Sequence, residues 1–155
     1  MNYIHSEAIQ DILNSIQEGR RILVLSQRRE HCRLLMERLV SQGKKPFVLD
    51  GGVRKKDRLA IIDTIRSLPR EEELVLIATG QYLGEGFDCP QLDTLFLVFP
   101  VAFKGKLVQY SGRLMRSFQG KNSVRVYDYV DGRMPLFKKM HAKRLKTYKE
   151  IGFLN

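Results

Sequence analysis

The sequence RILVLSQRREHCRLLMERLVSQGKKPFVLDGG, residues 21–52, decides the fold class of this chain. It opens on Ile22–Ser26, a short run that is apolar on both faces, as expected of a strand buried in a parallel sheet. Arg29–Ser41 then places apolar residues at helical spacing, and Gly43 can end that helix. Pro46–Leu49 predicts a second short strand. A strand, a helix and a strand in this order indicate two parallel strands joined by a helical connection.

The same alternation continues on both sides of this unit. A helix over Ser6–Glu18 precedes it. The elements predicted after it are a helix over Lys55–Leu68, strands over Leu74–Ala78, Thr94–Phe99 and Val124–Val130, a helix over Lys106–Met115 and a basic helix over Pro135–Ile151. In the first of these helices, Leu59, Ile62 and Ile65 are expected to face inward. The sequence therefore predicts a three-layer α/β fold, with a mostly parallel sheet of five or six strands and helices on both faces.

The composition narrows the classes of function. No apolar run among the 155 residues approaches the roughly 18 that a membrane span needs, and no secretory signal opens the chain, so we expect no membrane partner and a cytoplasmic location. The net charge of +10 favours polyanionic partners. Cys32 and Cys89 fit neither a disulfide framework nor a zinc spacing, and the three histidines suggest no catalytic pairing. We therefore expect no metal site formed by this chain.

Polar and basic residues follow the ends of the predicted strands. Because ligands of open α/β sheets bind at the carboxyl ends of the strands, these segments are the places to look for a site. They are Ser26–Arg29, Asp50–Gly52, Thr79–Asp88, and the segment that leads to Gln109, Arg113 and Arg116. Glycines let backbone N–H groups approach, and guanidinium groups grip oxyanions, so this edge suits phosphate binding. The sequence contains no G-x-x-x-x-G-K-[ST] run and hence no P-loop.

Four segments resemble helicase motifs and occur in the order of that family. LVLIATGQYLGEGFDCP (74–90) resembles motif V, and QYSGRLMR (109–116) resembles motif VI, Q-x-x-G-R-x-x-R. RILVLSQRREH (21–31) looks like motif IV, and LDGGVRKKDR (49–58) is similar to the motif that follows it. The chain thus resembles the C-terminal lobe, the second RecA-like domain, of superfamily 2 helicases of the DEAD/DEAH type.

A narrower resemblance concerns a bacterial subgroup in which this lobe accompanies a restriction- or phospholipase-D-like nuclease region. The segments GEGFDCPQLDTLFLVFP (84–100) and VYDYVDGRMP (126–135), with the basic terminal helix, look like that subgroup. Two positions depart from the DEAD-box pattern, since Gln109 stands where motif VI usually begins with His and Gly80 replaces the usual Asp of motif V. Both departures favour DNA over RNA as the partner.

The resemblance implies an ATP site shared between two lobes. The first lobe supplies the P-loop and the acidic residues that hold Mg²⁺, and the second supplies arginines. Arg116 would be the arginine finger on the γ-phosphate, with Arg113 assisting and Gln109 near the γ-phosphate or the attacking water. Asp88 would accept a hydrogen bond from the ribose or link the ATP site to motif VI, and Gly86 would leave room beside it. The implied cofactor is ATP, with its Mg²⁺ held by the missing first lobe.

The resemblance also implies contacts to the nucleic-acid backbone. The residues expected to make them are Ser26, Arg28, Gly51, Gly52, Arg58 and Thr79. Contacts of this kind position a strand without reading its sequence, which suits a motor that steps along any sequence.

These features lead to two alternative functions. In the first, residues 1–155 are one second-lobe domain, a fragment of a larger two-lobe protein, which hydrolyses no ATP unless an N-terminal lobe joins it in cis or in trans. In the second, the chain is a non-catalytic nucleic-acid-binding module of RecA-like shape, in which Arg113 and Arg116 only bind phosphates.

Overall fold

The structure is a computed structural model that describes residues 3–79, 91–98 and 124–129. It further describes five helical residues near the end of the chain: Ala142, Leu145, Lys146, Lys149 and Glu150. The predicted helix over Lys106–Met115 lies outside the described residues, as does most of the one over Pro135–Ile151. Among the helices that the structure describes, none has the length and apolar character needed to cross a membrane.

Helices and strands alternate along the described part of the chain. The helices are α1 (Tyr3–Gln17), α2 (Arg29–Ser41) and α3 (Lys55–Ser67). The strands are β1 (Arg21–Ser26), β2 (Phe47–Leu49), β3 (Leu74–Thr79), β4 (Thr94–Leu97) and β5 (Arg125–Asp128). Every element predicted in this part of the chain is present with the predicted type. The bounds of α2 coincide with the prediction, whereas α1 begins at Tyr3, before the predicted start at Ser6.

The strands form one sheet in the order β2-β3-β1-β4-β5, and every pair of neighbours is parallel. Strand β1 lies at the centre and pairs with β3 from Arg21 opposite Leu74 to Ser26 opposite Thr79. All residues of β1, β3 and β4 are buried, as expected of strands covered on both faces. The predicted parallel α/β sheet is confirmed.

The two faces of the sheet pack against different helices because neighbouring residues of a strand point to opposite sides. Leu23 and Leu25 of β1 belong to a core cluster that includes Ile65 of α3. Ile22 and Val24 belong to a second cluster, to which α1 and α2 contribute Ala8, Ile9, Ile12, Ile16, Cys32, Leu35 and Leu39. The helices therefore form two outer layers, with α3 on one face and α1 and α2 on the other.

The inward face of α3 differs in part from the prediction. Ile65 is buried and Ile62 packs partly against the core, but Leu59 is 53% exposed, so its expected inward orientation is wrong. At the helical repeat, Leu59 lies about 120° around the helix from Ile65. The buried stripe instead runs through Ile61 and Leu68, which pack against the same cluster.

A hydrogen-bonded network closes the amino edge of the sheet. Arg20 Nε donates to Thr94 Oγ1 at 2.8 Å, and Thr94 Oγ1 donates to Asp93 Oδ1 at 2.8 Å. The same Asp93 oxygen accepts the backbone N–H of Arg21 at 3.0 Å. These contacts fasten the start of β1 to the start of β4.

Candidate nucleic-acid interface

Three buried polar residues form a row at the carboxyl edge of the sheet. Ser26, the last residue of β1, is opposite Thr79, the last residue of β3. Asp50 follows Leu49, whose register partner is Ala78, and so lies at the level of Thr79. All three are almost fully buried, with relative exposures of 1% for Ser26, 3% for Thr79 and 1% for Asp50. The row faces the side of the sheet where α/β proteins bind ligands.

The hydroxyl groups in this row have different partners. Ser26 Oγ accepts the backbone N–H of Arg28 at 3.1 Å, which shapes the turn from β1 into α2. Thr79 Oγ1 is buried and has no hydrogen-bond partner within the described ranges. A buried hydroxyl left unpaired costs free energy, which an incoming hydrogen-bond acceptor would recover.

Asp50 shapes the turn that follows β2. Its Oδ1 accepts the N–H of Gly52 at 2.7 Å, and its carbonyl oxygen accepts the N–H of Val53 at 3.1 Å. An aspartate side chain that bonds the backbone two residues on mimics a turn and fixes its direction. Gly51 and Gly52 are consequently exposed at the strand edge.

Two arginines of α2 face the other oxygen of Asp50. The Nε atoms of Arg29 and Arg33 each lie 3.5 Å from Asp50 Oδ2, which makes no hydrogen bond among the described residues. The contacts are therefore ion pairs rather than hydrogen bonds. Both arginine side chains remain about half exposed, at 52% and 50%. A side chain at Gly52 would collide with the guanidinium of Arg29 and approach that of Arg33 to 3.1 Å, so this glycine leaves them room.

The cysteine and the histidine beside this edge, Cys32 and His31, carry no charge near neutral pH. Burial, and then the charge of Asp50, raise the pKa of the Cys32 thiol to about 12, so the thiol stays protonated. Burial, and then the nearby Arg28, lower the pKa of His31, so its imidazole is neutral at pH 7. The positive charge at the strand edge thus comes from arginine and lysine, and Cys32 is not a nucleophile.

The structure brings together most of the expected nucleic-acid contacts. Ser26, Arg28, Thr79 and the Gly51–Gly52 turn all lie at the carboxyl edge of the sheet. Arg58 lies in the first turn of α3, where its N–H donates to the carbonyl oxygen of Arg54. The residues expected to touch ATP lie outside the described residues: Gly86, Asp88, Gln109, Arg113 and Arg116.

Sequence reasoning did not pair Asp50 with Arg29 and Arg33. A signal was present, since Asp50 directly follows a strand and the two arginines stand four residues apart on one helix. That spacing puts both side chains on the same helical face. Only the sheet order and the packing of α2 show that this face meets the end of β2.

A parallel sheet covered on both faces, with polar and basic residues at its carboxyl edge, defines an α/β domain of the class that binds ligands at that edge. The chain belongs to the family described as the helicase conserved C-terminal domain, which it matches over residues 5–118. This membership confirms the coarse family expected from the four motifs.

The most similar relatives include viral proteins. The chain is 31% identical over 111 residues to the transcript termination protein A18 of camelpox virus (strain CMS) and 27% identical over 114 residues to that of fowlpox virus (strain NVSL). The matches cover 68% and 74% of this chain but only 22% and 24% of the two relatives. The chain thus spans less than a quarter of the length of these relatives.

Solved structures show the same fold. The C-terminal part of the Fun30 ATPase domain matches with a TM-score of 0.74 at 17% identity, covering 93% of this chain and 48% of the other. The C-terminal domain of S. cerevisiae Dbp5, solved with Gle1 and IP6, matches with a TM-score of 0.68 at 18% identity, covering 97% and 82%. Identities this low establish the fold alone, and that fold is the RecA-like one.

Proposed function

We propose that this chain is the second motor lobe of an ATP-dependent helicase or translocase, and that its carboxyl strand edge holds the nucleic-acid backbone. The observation that carries the proposal is the row of Ser26, Thr79 and Asp50, in which the buried Thr79 hydroxyl has no hydrogen-bond partner among the described residues. A phosphate oxygen would accept a hydrogen bond from this hydroxyl and so provide the partner that it lacks. Membership of the helicase C-terminal family supports the same proposal, because domains of this family are parts of helicases.

The charge around the row suits a polyanion. Basic side chains outnumber acidic ones in the two segments at this edge, 28–33 and 50–58: they are Arg28, Arg29, Arg33, Arg54, Lys55, Lys56 and Arg58 against Glu30, Asp50 and Asp57. Contacts to phosphates neutralise such charge and release counterions, so binding depends on salt and not on base sequence. Ser26, Arg28, Gly51, Gly52, Arg58 and Thr79 are the proposed contacts, with DNA preferred over RNA.

The ATP half of the proposal concerns motif VI and the end of motif V. When bound, ATP would supply the phosphoryl group whose transfer powers movement. Arg116 would stabilise its γ-phosphate, with Arg113 and Gln109 beside it, while Gly86 and Asp88 would border the nucleotide. A first lobe would hold the P-loop contacts and Mg²⁺. The narrower affiliation with bacterial nuclease-associated helicases stays a prediction, and the two relatives named above are viral.

The first test measures two activities of this chain alone. We expect a labelled single-stranded oligothymidylate to bind with an affinity that falls as salt rises, with a logarithmic slope of about 0.7 per neutralised phosphate. We expect no ATP turnover, with or without the oligonucleotide, because the sequence has no P-loop. An RNA strand of matched length tests the preference for DNA.

Two results would overturn this proposal. If the oligonucleotide does not bind, or if its binding does not depend on salt, the carboxyl strand edge does not contact phosphates. ATP turnover that follows the chain through every purification step, and rises with DNA, would mean that this domain has a complete ATP site.

A further inference from the structure

We propose that Arg29 and Arg33 form a two-guanidinium clamp for one backbone phosphate of the nucleic acid, and that Asp50 is the positioning residue that holds both groups. The proposal rests on the proposed function, because it adds residues to the same nucleic-acid interface. None of the four motif resemblances assigns a role to the pairing of Asp50 with these two arginines.

The charges at the site do not balance within the protein. A single carboxylate oxygen, Asp50 Oδ2, faces two guanidinium groups at 3.5 Å each. One negative charge cannot neutralise two positive ones, so the site keeps a net positive charge. The two arginines are half exposed while Asp50 is 1% exposed, so the anion that enters from solvent meets the arginines and not the carboxylate.

The donors that remain suit a phosphate. Each guanidinium has five N–H bonds in a rigid planar group, more than the single oxygen Asp50 Oδ2, 3.5 Å from each Nε, can accept. Terminal nitrogens of Arg29 and Arg33 lie over the Gly51–Gly52 turn, in the space that a side chain at Gly52 would occupy. Planar forks recognise phosphate oxygens in pairs, which a lysine ammonium does not.

The backbone N–H of Gly52 in this turn is not available to bind a phosphate. Gly52 already donates its N–H to Asp50 Oδ1 at 2.7 Å. Asp50 thus divides its two oxygens between the turn and the arginines, and it is buried enough to hold both in place. The clamp lies beside the Ser26–Thr79 row, so a strand that follows this edge passes over it.

The decisive variant is Asp50→Asn, because two explanations predict opposite changes in the affinity for single-stranded DNA. The change keeps the oxygen that accepts from Gly52 and adds one unit of positive charge to the edge. If only overall charge mattered, the full 155-residue chain would bind single-stranded oligothymidylate more tightly. If Asp50 positions the clamp, affinity falls, by about tenfold, despite the added charge.

Asp57→Asn is the matched control. It makes the same change in charge at the same surface, and Asp57 also pairs with an arginine, Arg54 at 3.1 Å, but both side chains are at least half exposed. We expect its affinity to be unchanged or higher than that of the wild type. Near-identical affinities for the two variants would overturn the clamp and leave the proposed function intact.

A double variant, Arg29→Lys with Arg33→Lys, tests the guanidinium groups without changing Asp50. It keeps both positive charges but removes the planar groups, and we expect it to bind the oligonucleotide about tenfold more weakly. Arg38→Lys, on the last turn of the same helix, should change nothing. Circular dichroism must show native helix content and melting for each protein, and if Asp50→Asn unfolds, the lysine pair decides. Retained affinity in that pair would overturn the clamp.

Two further outcomes test the proposed function itself and the identity of the ligand. If the wild-type chain shows no salt-dependent binding, both the clamp and the proposed function fail. If a poly-glutamate peptide binds the wild type as tightly as the oligonucleotide and loses as much affinity in Asp50→Asn, the ligand is an acidic protein segment and the assignment to phosphate is overturned.

Discussion

At the scale of single residues, Thr79 separates stability from function. Its buried hydroxyl lacks a hydrogen-bond partner among the described residues, so it weakens the folded state by being desolvated. We predict that Thr79→Val leaves the free energy of unfolding unchanged or raises it by up to about 1 kcal/mol, because valine has the same shape without the unpaired group. The same variant should bind single-stranded DNA about tenfold more weakly in a fluorescence anisotropy titration.

Thr94 provides the matched control at the opposite edge of the sheet. Its hydroxyl accepts from Arg20 and donates to Asp93, each at 2.8 Å, in a part of the sheet that the proposed ligand does not reach. Thr94→Val should lower the free energy of unfolding by about 1–3 kcal/mol in urea denaturation, with unchanged DNA affinity. If the two valine variants behaved alike in both assays, Thr79 would have no special role.

Residue roles were predictable from sequence where a local rule decides them. Ser26 and Thr79 stand at strand ends, and strand ends of a parallel sheet share one edge, so their proximity followed from the pattern alone. The role of Asp50 did not follow. Its carboxylate is divided between a turn and two arginines of a different element, and that division depends on how α2 packs against the sheet.

At the scale of elements, α2 and α3 show where periodicity succeeds and where it fails. The apolar spacing of α2 produces one buried stripe, formed by Cys32, Leu35 and Leu39, although Val40 at the end of the same helix is 51% exposed. In α3, isoleucines and leucines occupy more than one side of the helix, so spacing alone could not choose the buried stripe. The sheet selects Ile65 and leaves Leu59 exposed.

This difference predicts a contrast between two truncations in the same helix. Ile65 is 1% exposed and belongs to the core cluster, so Ile65→Ala should lower the free energy of unfolding by about 2–5 kcal/mol. Leu59→Ala should change it by less than about 0.5 kcal/mol, because Leu59 is 53% exposed and alanine favours the helix. Urea denaturation followed by circular dichroism measures both, and equal losses would contradict the placement of α3.

At the scale of the whole molecule, the sheet works as a platform with two unlike edges. The amino edge is closed by the Arg20–Asp93–Thr94 network, in which the Thr94 hydroxyl both accepts and donates a hydrogen bond. The carboxyl edge carries the Thr79 hydroxyl, which has no partner in the part of the chain that the structure describes, and the half-exposed arginines beside Asp50. Under the proposed function, one edge of the sheet stays closed while the other holds the nucleic-acid backbone.

The last prediction concerns coupling between this platform and ATP. In a protein that joins this chain to a P-loop lobe, Arg116→Ala should lower ATP turnover about a thousandfold or more, because an arginine finger stabilises charge on the transferring phosphoryl group. Binding of ATP and of single-stranded DNA should both survive, since the proposed nucleic-acid contacts do not include Arg116. Arg70→Ala, an exposed position beyond α3, is the control and should turn over ATP normally. Replacing both Arg113 and Arg116 by lysine then separates the alternatives: a motor stops, whereas a module that only binds phosphates keeps salt-dependent binding, because both positive charges remain. Unchanged turnover in Arg116→Ala would show that Arg116 is not the arginine finger.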